Sequence, residues 1–364
     1  MERNHAAMNS AAPAIVSLRP LLLTQFATTF VGNAATFFAA FLLAGGSGAD
    51  EAATQRALTV TFLLGIVPMA LASLPAAWLA DRFAKPRLLR ALTLALVAVT
   101  GLTAVALLLL GRGEGAPDGA LAPRLALPLQ LLVVLAGVQG ALLSPAKYGL
   151  LPELVAHERL SDANGRLELG NFVAIVLGSG AGGFLAERTA TAPWLGVASL
   201  TLLALVGWLA ARRLPERPAC GGGEPMAAAL SGAWRAIRGD SLLTLAVFGS
   251  VAFWGIGKLL GQDLVVDAKV RLRLSDTWAS LLLALLPIGV GVGSALAGRI
   301  SGRKVEMGLL PLGALLMAAA AIVLGGGGGT SADGDASAGA IAGWGRLGTC
   351  GWLLVLGAAG GLLL

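Results

Sequence analysis

The chain has 364 residues; 56% are hydrophobic, 5% aromatic and 13% charged, and the formal net charge is +6. So low a charge content excludes an ordinary soluble domain, in which roughly a quarter of the residues are charged. The 26 basic residues sit between apolar runs, which argues against nucleic acid as a partner, and Cys220 in a Gly-rich loop and Cys350 beside a late apolar run make neither a disulfide framework nor a metal site.

Residues 1–17 form a short lead without an apolar stretch and cleavage site, so the first apolar segment is expected to be retained. Ten apolar segments follow, at 18–43, 57–80, 88–110, 125–143, 168–186, 194–211, 241–262, 278–298, 308–325 and 347–364. Many reach the ~18 residues that cross hydrocarbon. A lipid-exposed backbone must satisfy its own hydrogen bonds, so helices are predicted and the fold class is an all-α polytopic membrane protein. With the N-terminus inside, the inner segments carry 17 of the 26 basic residues and the outer loops 8, which predicts a cytoplasmic N-terminus.

The first segment places Gln25, Thr28, Thr29, Gly32, Asn33 and Thr36 at spacings of three and four, so they share one helical face. A Thr/Gly stripe alone reads as helix packing; Gln25 and Asn33 favour a cavity wall. After the second segment comes Leu79-Ala80-Asp81-Arg82-Phe83-Ala84-Lys85-Pro86-Arg87, with a weak echo at 296–304 that lacks the acid. On charge alone, both loops read as basic anchors.

The chain is organised around Ser144-Pro145-Ala146-Lys147-Tyr148-Gly149-Leu150-Leu151-Pro152-Glu153-Leu154, expected to be a polar passage between two membrane helices. Ionisable groups this close to hydrocarbon are costly. Lys147, Tyr148 and Glu168 are therefore candidate translocation residues, with Lys147 or Arg166 as partner for Glu168; a hairpin held by proline and an ion pair is the plain structural reading. His157 and Asp162 have an acyltransferase-like spacing but no surrounding soluble domain, and are set aside. In the fifth segment Gly178, Gly180, Gly182 and Gly183 permit close helix approach.

Residues 212–240 form a basic, Gly/Pro-containing cytoplasmic linker between a six-helix half, 1–211, and a four-helix half, 241–364. The seventh segment carries Lys258 and Gln262 one turn apart. Two readings are open for Lys258: it snorkels to the interface, or it stands in a cavity and meets an anionic headgroup. Residues 325–339 read as a disordered outer loop. The chain stops inside an apolar run, and a polytopic protein rarely does, so about two helices are expected to be missing if the halves are equal.

The Asp81-Arg82 loop resembles the loop signature of the major facilitator superfamily, where it braces the inner gate. The resemblance assigns that role to Asp81 and Arg82, and about ten of the twelve helices of the fold are present. The 144–154 segment with Asn164-Gly165 and Glu168, the Gln25-Phe26…Phe30…Asn33 series, and Phe253-Trp254-Gly255 resemble the superfamily's bacterial lysophospholipid transporters. This implies a transporter, not an enzyme, with no cofactor. It would move lysophospholipids such as lysophosphatidylethanolamine across the inner membrane for reacylation. Gln25, Asn33, Lys147, Tyr148, Glu168, Lys258 and Gln262 would serve the passage. Its partners would be membrane lipid and an acyltransferase or acyl-carrier-protein synthetase acting on the product. Two positions depart from that pattern: Gly32 stands where the family has Asp, and Gly261 where it has a cation. The rival readings are a general solute or drug exporter of the same fold, the membrane module of an acyltransferase fusion, and a non-transporting remnant.

Overall fold

The computed structural model describes residues 17–45, 51–111, 121–156, 159–219, 224–245, 247–249, 264, 268, 274–301, 309–326 and 351–360. These are almost wholly helical, and none is a strand. The helices are α1 (Arg19–Gly45), α2 (Glu51–Arg82), α3 (Lys85–Gly111), α4 (Leu121–Leu154), α5 (Leu160–Arg188), α6 (Pro193–Arg212), α7 (Met226–Gly239), α8 (Asp276–Ser301) and α9 (Leu309–Gly326). A short apolar helix, α10, covers Gly351–Gly360. Among the described residues seven helices, α1 to α6 and α8, are long and apolar enough to cross a membrane. The chain is a multi-pass membrane protein. Lys258, Gln262, the 302–304 part of the second basic loop, His157, Cys220 and Cys350 lie outside the described residues.

The first helix is the axis of the bundle. It packs on α5 and α6, and also on α2 and α4. Its Phe37, Phe38 and Phe41 are buried together with Leu58 of α2, Leu96 of α3, Leu129 of α4 and Val197 of α6. Phe37 stands edge-on to Phe62, ring centroids 5.4 Å apart. A second apolar cluster joins Leu21, Leu89, Leu143, Leu150 and Leu167 nearer the other end of the bundle.

Lipid tails are as apolar as leucine, so close packing must supply what water exclusion supplies elsewhere. The glycines of α5 do this on two faces. A Cβ on Gly178 or Gly182 would come within 2.6 Å of the Phe30 carbonyl or 2.5 Å of the Ala34 carbonyl, both on α1. On the other face a Cβ on Gly183 would lie 2.3 Å from the Asp276 carbonyl of α8. Glu187, near the end of α5, also accepts a 2.7 Å hydrogen bond from the Thr277 hydroxyl of α8.

Two expectations change here. The 144–154 segment does not leave the helix: α4 runs through Pro145 and Pro152 to Leu154, and α5 begins already at Leu160. Proline removes a backbone donor, but in membrane helices neighbouring groups satisfy the freed carbonyls and the helix continues. At 34 residues, α4 is about 50 Å long at 1.5 Å per residue and exceeds the hydrocarbon. Its polar last turns stay helical to Leu154. The 212–240 connection, read from its glycines and prolines as a linker, contains the 14-residue helix α7.

One end of the bundle is braced by charge. The Lys85 ammonium, at the start of α3, lies 2.5 Å from the Glu153 carboxylate of α4. Arg90 of α3 bonds the Glu216 carboxylate and donates to the Ala211 carbonyl at 3.2 Å. Asp81 and Arg82 are exposed at this end, and the Arg82 guanidinium lies 5.2 Å from the Trp78 ring centroid. Lys85 ties α3 to α4 here, and Arg90 ties α3 to the end of α6.

Candidate functional site

A cavity of about 460 Å³ lies between α1, α2, α4 and α5 on one side and α8, α9 and α10 on the other. It is lined by the whole polar stripe of α1: Gln25, Thr28, Thr29, Gly32, Asn33 and Thr36. The threonines contribute little free polarity. Thr28 and Thr36 donate back to carbonyls of their own helix, at 2.8 Å to Thr24 and 2.9 Å to Gly32. The amides differ. Gln25 donates from Nε2 to Asn171 of α5 at 2.6 Å and to Thr29 at 2.8 Å. The Thr29 hydroxyl donates to the same Asn171 oxygen at 3.1 Å. Asn33 donates to the Thr29 carbonyl at 2.8 Å. This cluster fixes the Gln25 side chain, which is 2% exposed, yet its Oε1 has no hydrogen-bond partner among the described residues.

The α4 wall presents Ala136, Gly140, Leu143, Ser144 and Lys147, at the three- and four-residue spacing of one helical face. Gln139 also lines the cavity and is buried, and its Nε2 is without a partner among the described residues. Nothing marked Gln139 in advance. The available signal was its place in an apolar run, at the i, i+4, i+8 spacing of Gln139, Leu143 and Lys147. Asn171 was legible only as a polar residue near the mouth of α5; its pairing with Gln25 bridges 146 residues of sequence.

Lys147 is 7% exposed and lines the cavity. It makes no ion pair or hydrogen bond among the described residues; its ammonium lies 4.6 Å from the centroid of the Tyr148 ring. Adjacent helical residues diverge by about 100°, so Lys147 faces the cavity while Tyr148 turns toward α5. There the Tyr148 hydroxyl donates to the Glu168 carboxylate. Glu168 therefore has Tyr148 as hydrogen-bond partner, and Lys147 is coupled to it through space. Neither Tyr148 nor Glu168 lines the cavity itself. The arrangement is a cation at the wall, an aromatic ring beneath it and a carboxylate one step further out. Gly32 opens on the cavity, with nothing within 4 Å of where a Cβ would stand.

The site thus offers one desolvated cation, an amide cluster and a largely apolar wall. An amide oxygen and an amide nitrogen in it, both buried, are without a hydrogen-bond partner among the described residues. Among the described residues no group of His, Cys, Asp and Glu could hold a metal ion.

Over 186 residues the chain is 37% identical to the "Lysophospholipid transporter LplT" of Yersinia pestis (strain Pestoides F) and, equally, of Yersinia pseudotuberculosis serotype I (strain IP32953); the match takes in 50% of this chain and 46% of each relative. The chain spans about half the length of the curated relatives it matches. Its fold is similar to a partially occluded inward open conformation of the xylose transporter XylE from E. coli, with a TM-score of 0.56 at 17% identity over 94% of this chain and 89% of that one. It is also similar to a bacterial homologue of iron transporter ferroportin in an inward-facing state, with a TM-score of 0.56 at 16% identity over 95% and 80%. At such identities the likeness is one of fold. The sequence profile of the Major Facilitator Superfamily matches residues 21–363, nearly the whole chain, and it is to this superfamily that the chain belongs.

Proposed function

We propose that the chain serves a secondary transporter that moves lysophospholipids across the bacterial inner membrane by alternating access, not an enzyme. The observation that carries this reading is Lys147: a buried ammonium at the cavity wall that closes no ion pair among the described residues, with Glu168 acting on it only through space. Holding a bare cation inside a membrane protein costs about 3 kcal/mol on insertion scales. A phosphate in the cavity offsets that cost through a charge-assisted hydrogen bond. Gln25 and Gln139 offer an acceptor and a donor to the ethanolamine or glycerol part of the head. The apolar wall suits the single acyl chain. The name of the LplT relatives supports the same substrate class.

In this reading the basic end of the bundle faces the cytoplasm, as the lysine and arginine bias predicts. The N-terminus is on that side. The halves 1–211 and 241–364 rock about the cavity, joined by the 212–240 connection. Lys258 and Gln262 complete the passage from the second half, and Asp81 and Arg82 belong to the gate. An acyltransferase or acyl-carrier-protein synthetase consumes the product.

The test is uptake and reacylation of labelled lysophosphatidylethanolamine in cells lacking their own transporter and expressing this chain. Uptake is expected, with loss in Lys147→Ala at unchanged membrane insertion. Unlabelled lysophospholipid is expected to compete, and a monoacylglycerol without phosphate is not. Absence of uptake despite insertion, or equal competition by monoacylglycerol, would overturn the reading.

A further inference from the structure

The helix α7 (Met226–Gly239) is amphipathic, and none of its residues is buried. Met226, Leu230, Ala233, Trp234 and Ile237 follow the i, i+4, i+7, i+8, i+11 spacing of one apolar stripe. Met226, Leu230 and Trp234 are 42%, 38% and 55% exposed. An exposed stripe of this size calls for a partner. Three observations say what the partner is.

The first is position. At the start of α7 the Glu224 carbonyl accepts a 3.0 Å hydrogen bond from the Trp78 indole, one turn before the end of the membrane helix α2. After α7, Asp240 accepts from the backbone N–H groups of Leu242 and Leu243 at 2.9 and 3.2 Å, and so caps the next helical stretch. That stretch is apolar, with Leu242, Leu245 and Phe248 67–70% exposed. One end of α7 is therefore held at the end of a membrane helix, and the other leads directly into an exposed apolar stretch. The second is charge. Arg235 and Arg238 are the charged residues of α7, and neither makes an ion pair among the described residues. Arg235 bonds only the Ser231 carbonyl, and Arg238 lies 4.6 Å from the centroid of the Trp234 ring. The third is residue type: a tryptophan at the rim of the stripe with an arginine stacked on it is the pairing that settles at a headgroup layer.

We propose that α7 lies in the surface of the bilayer that the chain spans. Its Met226–Leu230–Trp234 stripe is sunk to the level of the acyl boundary, and Arg235 and Arg238 bind the phosphates of anionic phospholipids. The helix is then a peripheral lipid-binding site, distinct from the cavity. It fixes the connection between the two halves to the membrane plane.

The test uses the whole chain with Cys220→Ser and Cys350→Ser as background. Single cysteines L230C and A233C on the stripe, and A228C and S231C on the opposite side, carry an environment-sensitive fluorophore. The variants are reconstituted in phosphatidylcholine vesicles with or without phosphatidylglycerol, and a lipid spin-labelled near the headgroup is the quencher. Blue-shifted, quenched emission is expected at 230 and 233 and water-like emission at 228 and 231. Phosphatidylglycerol is expected to increase the quenching, and R235Q/R238Q to abolish that increase while folding is retained. Water-like emission at all four positions would overturn the proposal. So would a blue shift without lipid quenching, which would mean that protein, a second copy included, covers the stripe. Quenching indifferent to phosphatidylglycerol would overturn the assignment to anionic lipid.

Discussion

Lys85 and Lys147 are both 7% exposed, and both approach the last turns of α4. Lys85 crosses from α3 to Glu153 and closes a 2.5 Å ion pair. Glu153 is also the one acid in the sequence of α4, so Lys147 has no counter-ion on its own helix. Its ammonium meets an aromatic ring and the cavity, and feels Glu168 of α5 only through space. Burial alone therefore does not mark function. A buried cation with its acid in place is a brace, whereas one that closes no ion pair and is turned to a cavity is a candidate binding group.

The comparison breaks most sharply at the brace. Lys85→Met is expected to destabilise the protein by about 3 kcal/mol, because Glu153 loses its partner. Lys85→Met with Glu153→Leu is expected to recover most of that loss, read as resistance to unfolding in mixed micelles. Lys147→Met is expected to behave in the opposite way. Lysolipid uptake should fall roughly 10- to 100-fold, the worth of a charge-assisted hydrogen bond, while unfolding resistance stays level or rises. A drop in stability matching that of Lys85→Met would make Lys147 a second brace.

Smaller effects sharpen the picture. Tyr148→Phe keeps the ring under the ammonium and removes the hydroxyl bonded to Glu168. Uptake is expected to fall only a few-fold, about 1 kcal/mol, and Glu168→Gln is expected to match it. At the surface, the hydrogen bond from Arg90 holds the Glu216 carboxyl below the usual carboxylate range, with Arg87 adding to it. Such a group stabilises the fold above its unfolded pKa, and the contribution is lost as pH falls through the lower folded value. Glu216→Gln is therefore expected to lower the melting temperature slightly at neutral pH, to leave it unchanged at acid pH where the carboxyl is already protonated, and so to flatten the acid limb of the stability curve, measured as melting temperature against pH.

How much of this was legible beforehand depends on the range of the interaction. The α1 stripe could be read because helical spacing gathers Gln25, Thr29 and Asn33 on one face whatever surrounds them. The glycines of α5 could be read as a close-packing surface for the same reason, though which of them face α1 and which α8 could not. Lys85 and Glu153 are separated by 68 residues, and their pairing depends on how α3 crosses α4. Pro145 and Pro152 pointed to an early end of α4, since proline stops helices in water; the membrane setting reverses that rule. The period of α7 was present in the sequence but hidden by the glycines and prolines around it, which dominate the composition of the connection.

The stem of Lys85 runs across Gly149, where an added Cβ would lie 2.8 Å from its Cε carbon. That contact ties two distant positions into a single unit of inheritance. A lineage that enlarges residue 149 must shorten or redirect residue 85, and one that discards the lysine leaves both Glu153 and the groove at 149 open to change. Across descendants of this chain, positions 85, 149 and 153 are therefore expected to drift as a linked trio, while Lys147 beside them is held by what enters the cavity.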